Sequence, residues 1–221
     1  MLCEKVVMSQ ALQNTLLLFS TPVFIYDEYT DPDFIFDTMD TQKNMRPNMG
    51  GNAMSQDTYL LDNDAYSMIR TRIQRGLQQY VRDVLRINER HQFNITQSWL
   101  NVNPAGTHHH VHVHRNSIIS GTYYIDVSDS GSISFQAPFA GQSITDNNML
   151  RLDIDEDTIA NCNCWQVAVR NNDILFWPSQ VPHKVPVNKT DRNRVSISFN
   201  VFVSGDLGTE LGLEQLHIAH D

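Results

Sequence analysis

Apolar residues recur every three or four positions in one early stretch of the chain and every second position beyond residue 92. In NDAYSMIRTRIQRGLQQYVRDVLRINER (63–90), Met68, Ile69, Ile73, Leu77, Tyr80, Val81, Val84 and Leu85 fall at helical steps. That spacing predicts an amphipathic helix lying on a core, with Asn63 or Asp64 able to cap its start. Gly76 weakens the helix slightly without breaking the stripe. From residue 93 the segments QSWLNVN, HHVHVH, SIISGTYYIDV, GSISFQ, WQVAV, DILFWP, HKVPV and RVSISFNVFV are short and rich in β-branched and aromatic residues. Turn clusters NPAG, VSDSG, RNND and VNKTDRN separate them, the punctuation of consecutive strands. Strands with no helical period between them predict a mainly β protein, an antiparallel sandwich or barrel, with the helix backing one sheet.

The pattern shows neither a repeat nor a splitting linker. It predicts a single domain over 1–221: a helix-containing support (1–92), a β core (93–204) and a C-terminal tail (205–221). A leading strand, TPVFIYD (21–27), and a polar loop rich in Met and Asn (41–58) precede the helix. The polar stretch 141–163 reads as a long insertion between strands, placed to serve as a lid.

Composition narrows the function classes. Of the 221 residues 41% are hydrophobic and 19% charged, as in ordinary globular proteins, and the formal net charge is −9. Without a basic stretch to neutralise phosphates, a nucleic-acid partner is not expected. Cys3, Cys162 and Cys164 form no disulfide framework, and CNC lacks the spacing of a zinc ribbon. No apolar run approaches bilayer length, and the N-terminus lacks the layout of a signal peptide, so a cytoplasmic location without membrane contact is the expectation. Exposed edges in folds of this kind often pair, which leaves a homodimer open.

The chemistry concentrates in THHHVHVH (107–114), which holds five histidines. Strand alternation puts His110, His112 and His114 on one face and His109, Val111 and Val113 on the other. Two histidines two apart can converge on one ion through nitrogens about 2.0–2.1 Å from it. His110/His112 and His112/His114 satisfy this equally. A third ligand is available in His183, which follows an apolar strand in FWPSQVPHKV. Three ligands on one face leave coordination positions open, as in a catalytic centre. Eleven residues further on, Arg194 and Ser196 share a strand face. An inward arginine needs a carboxylate partner, which points to a bound dianion such as 2-oxoglutarate, its 1-carboxylate and 2-oxo group on iron and its 5-carboxylate at Arg194 and Ser196.

The segments SWLNVNPAGTHHHVHVHRNSIISGTYYIDV, GSISFQAPF and DILFWPSQVPHKVPVNKTDRNRVSISFNVFV, with the early LFSTPVFIYD, resemble a family of 2-oxoglutarate/Fe(II)-dependent oxygenases common in marine bacteria and their phages. The likeness is strong from residue 93 and weak before it. Its most specific pieces are H-x-H followed by N-S-x-x-S-G-x-Y-Y, and P-S-x-x-x-H leading to R-x-S-x-x-F-N. The resemblance implies a double-stranded β-helix (jelly-roll, cupin-like) core, Fe(II) as the metal and 2-oxoglutarate as cosubstrate. Carried over by position, His112 stands for the first histidine of the facial triad, His183 for the distal one and Arg194 for the cosubstrate's basic anchor, with Ser196 beside it. His114 stands where the family's wider pattern has a carboxylate, leaving the site one charge more positive. The His112/His114 pair is preferred because it alone is followed by RNSIISG at the family's spacing. The resemblance also directs Asn101, Asn103 and Tyr123 toward 2-oxoglutarate, with His110 and Trp99 behind the ligands.

These readings lead to a dioxygenase that hydroxylates a small molecule or protein side chain using O₂, with release of succinate and CO₂. Two others stand beside it: a three-histidine cupin-type metalloenzyme that does not use 2-oxoglutarate, to which His114 points, and a non-catalytic metal-binding jelly roll.

Overall fold

The structure, a computed structural model, describes residues 15–27, 36–127, 131–138, 149–209 and 213–219. In chain order the elements are β1 (Phe24–Tyr26), a one-turn helix α1 (Met39–Gln42), β2 (Met45–Pro47), β3 (Ala53–Ser55) and α2 (Ser67–Gln79). There follow β4 (Gln92–Asn103), β5 (His109–His112), β6 (Ile119–Asp126), β7 (Ser132–Gln136), β8 (Cys164–Ala168), β9 (Ile174–Pro178), β10 (His183–Val185), β11 (Arg194–Leu207) and β12 (Leu216–Ile218). They form two antiparallel sheets. The larger runs β1-β9-β6-β11-β4-β3-β2, with β12 also on β11; the smaller runs β5-β10-β7-β8.

Each face of the larger sheet has its own core. On the outer face, Ile69, Ile73, Leu77 and Tyr80 pack with Tyr123, Ile174, Phe176, Ile197 and Phe199, so the helix backs this sheet as the stripe predicts. Met68 and Val84 depart from that prediction: 46% and 43% exposed, they sit at the margins of the stripe. The helical segment begins with a 3-10 turn, where the Asn63 side chain accepts from the Ala65 N–H, and closes in a wide π turn over Tyr80–Val84. Arg82 then donates to the carbonyls of Ile87, Asn88 and His91, holding the turn that feeds β4. On the inner face, Tyr124, Leu175 and Trp177 meet Ile133, Phe135 and Val167 of the smaller sheet and Val169 just beyond β8. Burial of the outer layer is the main force holding the helix to the larger sheet, and burial of the inner layer the main force holding the two sheets together.

Two segments differ from the sequence expectation. The polar stretch 41–58 contains the β2–β3 hairpin, and β3 pairs with β4; the hairpin's turn carries Gly50 and Gly51 at positive φ, which weakened the strand signal. The tail carries β12, which returns to pair with Gly205–Leu207. The proposed lid is described only over 149–163, and 141–148 fall outside the described residues. Among the described residues no helix is long and apolar enough to cross a membrane.

Candidate metal and cosubstrate site

The site lies between the two sheets. In the smaller sheet β10 runs antiparallel to β5 with His183 directly opposite His112. The strand ends there, and His114 lies two residues beyond it, its backbone N–H bonded to the Ser179 carbonyl. One potential ligand atom from each of His112, His114 and His183 lies within 4.8 Å of the others.

Their tautomers follow from what the Nδ1 atoms face. His112 Nδ1 is 2.9 Å from the His110 carbonyl, His183 Nδ1 is 3.0 Å from the Val181 carbonyl, and His114 Nδ1 faces Asn200 Oδ1. The two carbonyls and the amide oxygen can only accept, so each Nδ1 carries the hydrogen and each Nε2 presents a lone pair; the Ser120 hydroxyl, 3.0 Å from His114 Nδ1, can accept from it as well. Burial, with mutual repulsion among the histidines, depresses the pKa to about 4 for His114 and about 3 for His183, and lowers that of His112. All three rings are therefore neutral near pH 7, as metal ligation requires.

A divalent cation fits this arrangement. The Nε2 atoms of His112 and His114 are 3.2 Å apart, and with both Nδ1 protonated neither can donate to the other. Two lone pairs then face each other, which is favourable only around a shared cation. Nitrogens bound at about 2.1 Å in cis positions would be separated by roughly 3.0–3.4 Å.

The second half of the site comes from alternation on the larger sheet. Arg194 pairs with Asn103, Ser196 with Asn101 and Ser198 with Trp99 across β11–β4, while Ser196 also faces Tyr124 and Ser198 faces Thr122 across β11–β6. These residues line one pocket with His109, His112, His114 and His183. Arg194 is 5% exposed, donates to the Ser132 carbonyl, and lies over the Tyr124 ring with Cζ 5.3 Å from its centroid. Among the described residues no carboxylate pairs with it. Asn101 Oδ1 and Asn103 Nδ2 are likewise buried without a hydrogen-bond partner. Burial raises the Tyr124 phenol to about 12, so it remains a neutral donor.

The structure thus brings His112, His114, His183, Arg194, Ser196, Asn101, Asn103 and Trp99 to one pocket. Trp99 lies 5.6 Å from His114, ring to ring. His110 does not line the pocket; its carbonyl faces His112 Nδ1, and its ring forms with His109 and His112 a second group of potential ligand atoms within 4.8 Å of one another, so the His110/His112 pairing stays geometrically open. Tyr123 is a correction. It faces the helix, where its hydroxyl donates to Asn172 Oδ1 and accepts from Arg72; Tyr124 takes the pocket side. Which tyrosine faces inward depends on the register of β6 against β11, which sets Tyr124 opposite Ser196 and Tyr123 opposite Ile197, and strand alternation within β6 cannot reveal that. His109 is a second correction: assigned to the opposite face from His112, it stacks on the His112 ring at 4.2 Å and lines the pocket. An irregularity in the β5–β10 ladder between His183 and Val185 accounts for the broken alternation. Thr122 and Ser198 were missed, although Ser198 continues the parity of Arg194 and Ser196.

Residues 97–200, just under half of the chain, match the family model described as "Putative 2OG-Fe(II) oxygenase". No curated protein matches the chain in sequence. Among solved structures it is similar to HygX from Streptomyces hygroscopicus with nickel and 2-oxoglutarate bound, with TM-score 0.52, 10% identity and 82% of each chain covered. It is also similar to SnoK, a non-heme alpha ketoglutarate dependent carbocyclase from nogalamycin biosynthesis, with TM-score 0.51, 12% identity, and 78% of this chain and 73% of that one covered. At these identities the likeness is one of fold.

Proposed function

We propose that the chain is an Fe(II)- and 2-oxoglutarate-dependent oxygenase built on a double-stranded β-helix, with His112, His114 and His183 as the iron ligands. The observation that carries this reading is Arg194, a buried guanidinium with no carboxylate partner among the described residues, in the same pocket as three converging Nε2 lone pairs. A dianion long enough to reach both ends satisfies both. Arg194 and Ser196 would hold the distal carboxylate of 2-oxoglutarate, the Tyr124 hydroxyl and Asn103 Nδ2 would donate to its oxygens, and Asn101 Oδ1 would orient its neighbours through hydrogen bonds. The family match over 97–200 spans all of these residues.

Bound at the histidines, Fe(II) would supply the oxygen activation that couples decarboxylation of 2-oxoglutarate to hydroxylation of a substrate C–H bond. The chain's own contributions are orientation and exclusion of water. The imidazoles stay neutral and hold their lone pairs inward. Arg194 fixes the far end of the cosubstrate in a buried setting where its charge is little screened. Trp99 and His109 narrow the pocket around the ligand end. With no carboxylate among the three ligands, the negative charge that balances the metal comes from the cosubstrate itself, so metal and 2-oxoglutarate should bind with mutual reinforcement.

The test is succinate formation from 2-oxoglutarate under air. It should require added Fe(II) and fall to background in His183→Ala. Turnover undiminished in both His183→Ala and Arg194→Met would overturn the assignment. The three neutral imidazoles favour a second reading, a three-histidine enzyme acting without 2-oxoglutarate. That reading leaves Arg194 without an occupant, and it would be preferred if iron bound but 2-oxoglutarate did not perturb it.

A further inference from the structure

Behind His114 lies a buried polar chain that the proposed chemistry does not use. His114 Nδ1 faces Asn200 Oδ1, and Ser120 Oγ lies 3.1 Å from the same oxygen and 3.0 Å from His114 Nδ1. Ser120 Oγ is 2.8 Å from Ser179 Oγ, which is 2.8 Å from Ser117 Oγ. Ser117 in turn donates toward the carbonyls of Ile119 and Val201. Ser120 and Ser179 are fully buried and Asn200 is 6% exposed.

Hydroxyls can donate or accept, so the serines alone do not decide which nitrogen of His114 carries the proton. Asn200 does. With its oxygen toward His114, the ring must be Nδ1–H, and Nε2 faces His112 as a lone pair. With the amide turned round, Nδ2 would donate to His114 Nδ1 and force the hydrogen onto Nε2, blocking ligation. Two contacts accompany the productive orientation, and the second, to an acceptor-only oxygen, is the one that selects it. Ser120 supplies a hydrogen to Oδ1, and Gln97 Oε1, directly across the β11–β4 ladder, accepts from Asn200 Nδ2 at 3.5 Å. The ladder shifts register immediately after Asn200, so the asparagine sits at the last regular pair before the irregularity.

We infer that Asn200, oriented by Ser120 and Gln97, is a positioning residue that commits His114 to the Nδ1–H tautomer and so completes the three-nitrogen metal site without adding charge. The inference rests on the metal-site reading above. It explains how a histidine can occupy this position: an imidazole with two equivalent tautomers would be available to the metal only part of the time. A neutral amide supplies the acceptor while leaving the site's charge to the cosubstrate. Partners of this kind behind a ligating histidine typically contribute 10- to 100-fold in metal affinity.

The experiment uses ¹⁵N-histidine NMR of the metal-free full chain, with Zn(II) affinity from chelator competition as a second readout. In wild type, His114 should show a protonated Nδ1 and an unprotonated Nε2. Asn200→Leu should give mixed tautomers and roughly 10- to 100-fold weaker zinc binding, and Asn200→Asp, which keeps the acceptor, should restore both. Because Asn200 is buried, Gln97→Leu at an exposed position provides a variant that folds, with a partial loss in the same direction. An Nε2–H tautomer in wild type would overturn the inference, as would Asn200→Leu with an unmixed tautomer and undiminished zinc affinity. Failure of the oxygenase reading would appear instead as absent succinate, with the tautomer results unchanged.

Discussion

Replacing Arg194 with methionine should move stability and ligand binding in opposite directions. The side chain is 5% exposed, has the Ser132 carbonyl as acceptor and has no carboxylate partner among the described residues; burial lowers its pKa from the ordinary arginine range. A buried charge that lacks a counter-ion carries a desolvation cost of several kcal/mol. Methionine of similar reach removes that cost together with the hydrogen bond to the Ser132 carbonyl, worth about 1–3 kcal/mol, and exchanges the guanidinium's contact with the Tyr124 ring for a thioether one. The ligand-free variant should therefore be as stable as wild type or more stable by about 1–4 kcal/mol. For the metal-loaded wild type under anaerobic conditions, 2-oxoglutarate at a hundred times its Kd should add about 2.7 kcal/mol. In a chain of this size that is a rise in Tm of about 5–11 °C. Losing a charge-assisted carboxylate contact of about 1.5–3 kcal/mol weakens binding roughly 10- to 150-fold. The same concentration should then raise the variant's Tm by at most about 5 °C. Thermal melts of manganese-loaded protein with and without 2-oxoglutarate measure both effects. A variant that melts far below wild type without ligand, yet keeps the full ligand-induced rise, would refute the reasoning: Arg194 would then be a structural residue rather than an anchor.

Two further outcomes follow from packing and protonation. Gly76→Ala should improve helix propensity by about 1 kcal/mol, yet its Cβ would lie 2.8 Å from Phe176 Cε2 and 2.9 Å from Tyr26 Cγ. Overpacking of about 1–3 kcal/mol should win, giving a net loss near 1 kcal/mol in urea unfolding; a net gain would show that the rings yield. The metal-free protein should lose stability as pH falls. His109, His114 and His183 have folded pKa values of about 3, about 4 and about 3, below the unfolded value of about 6.5. Between those limits the unfolded chain binds protons that the folded chain does not, so stability drops from about pH 6.5 downward to about pH 3, the His114 contribution ending near pH 4. Denaturant midpoints at pH 7, 6 and 5 would show it, and a flat profile would contradict the neutral, buried state of these rings.

What the sequence determined by itself was local. The three- and four-residue period located the helix and its buried face, because a helix's geometry depends only on its own spacing. Alternation put Arg194 and Ser196 on one side of their strand, and HxH spacing made His112 and His114 candidates for a shared ion. Gly76 looked like a mild defect, whereas the structure shows the helix approaching Phe176 and Tyr26 too closely for a side chain. The choice of Tyr124 over Tyr123, the stacking of His109 on His112, the opposition of His183 to His112 and the seating of Asn200 behind His114 were decided only by tertiary structure. Each depends on the register between strands far apart in the chain, and irregularities interrupt that register near Ser196, Asn200 and His183. One shifted residue exchanges the two faces of a strand, and the energy that places such a shift lies in packing between sheets rather than in the segment that carries it.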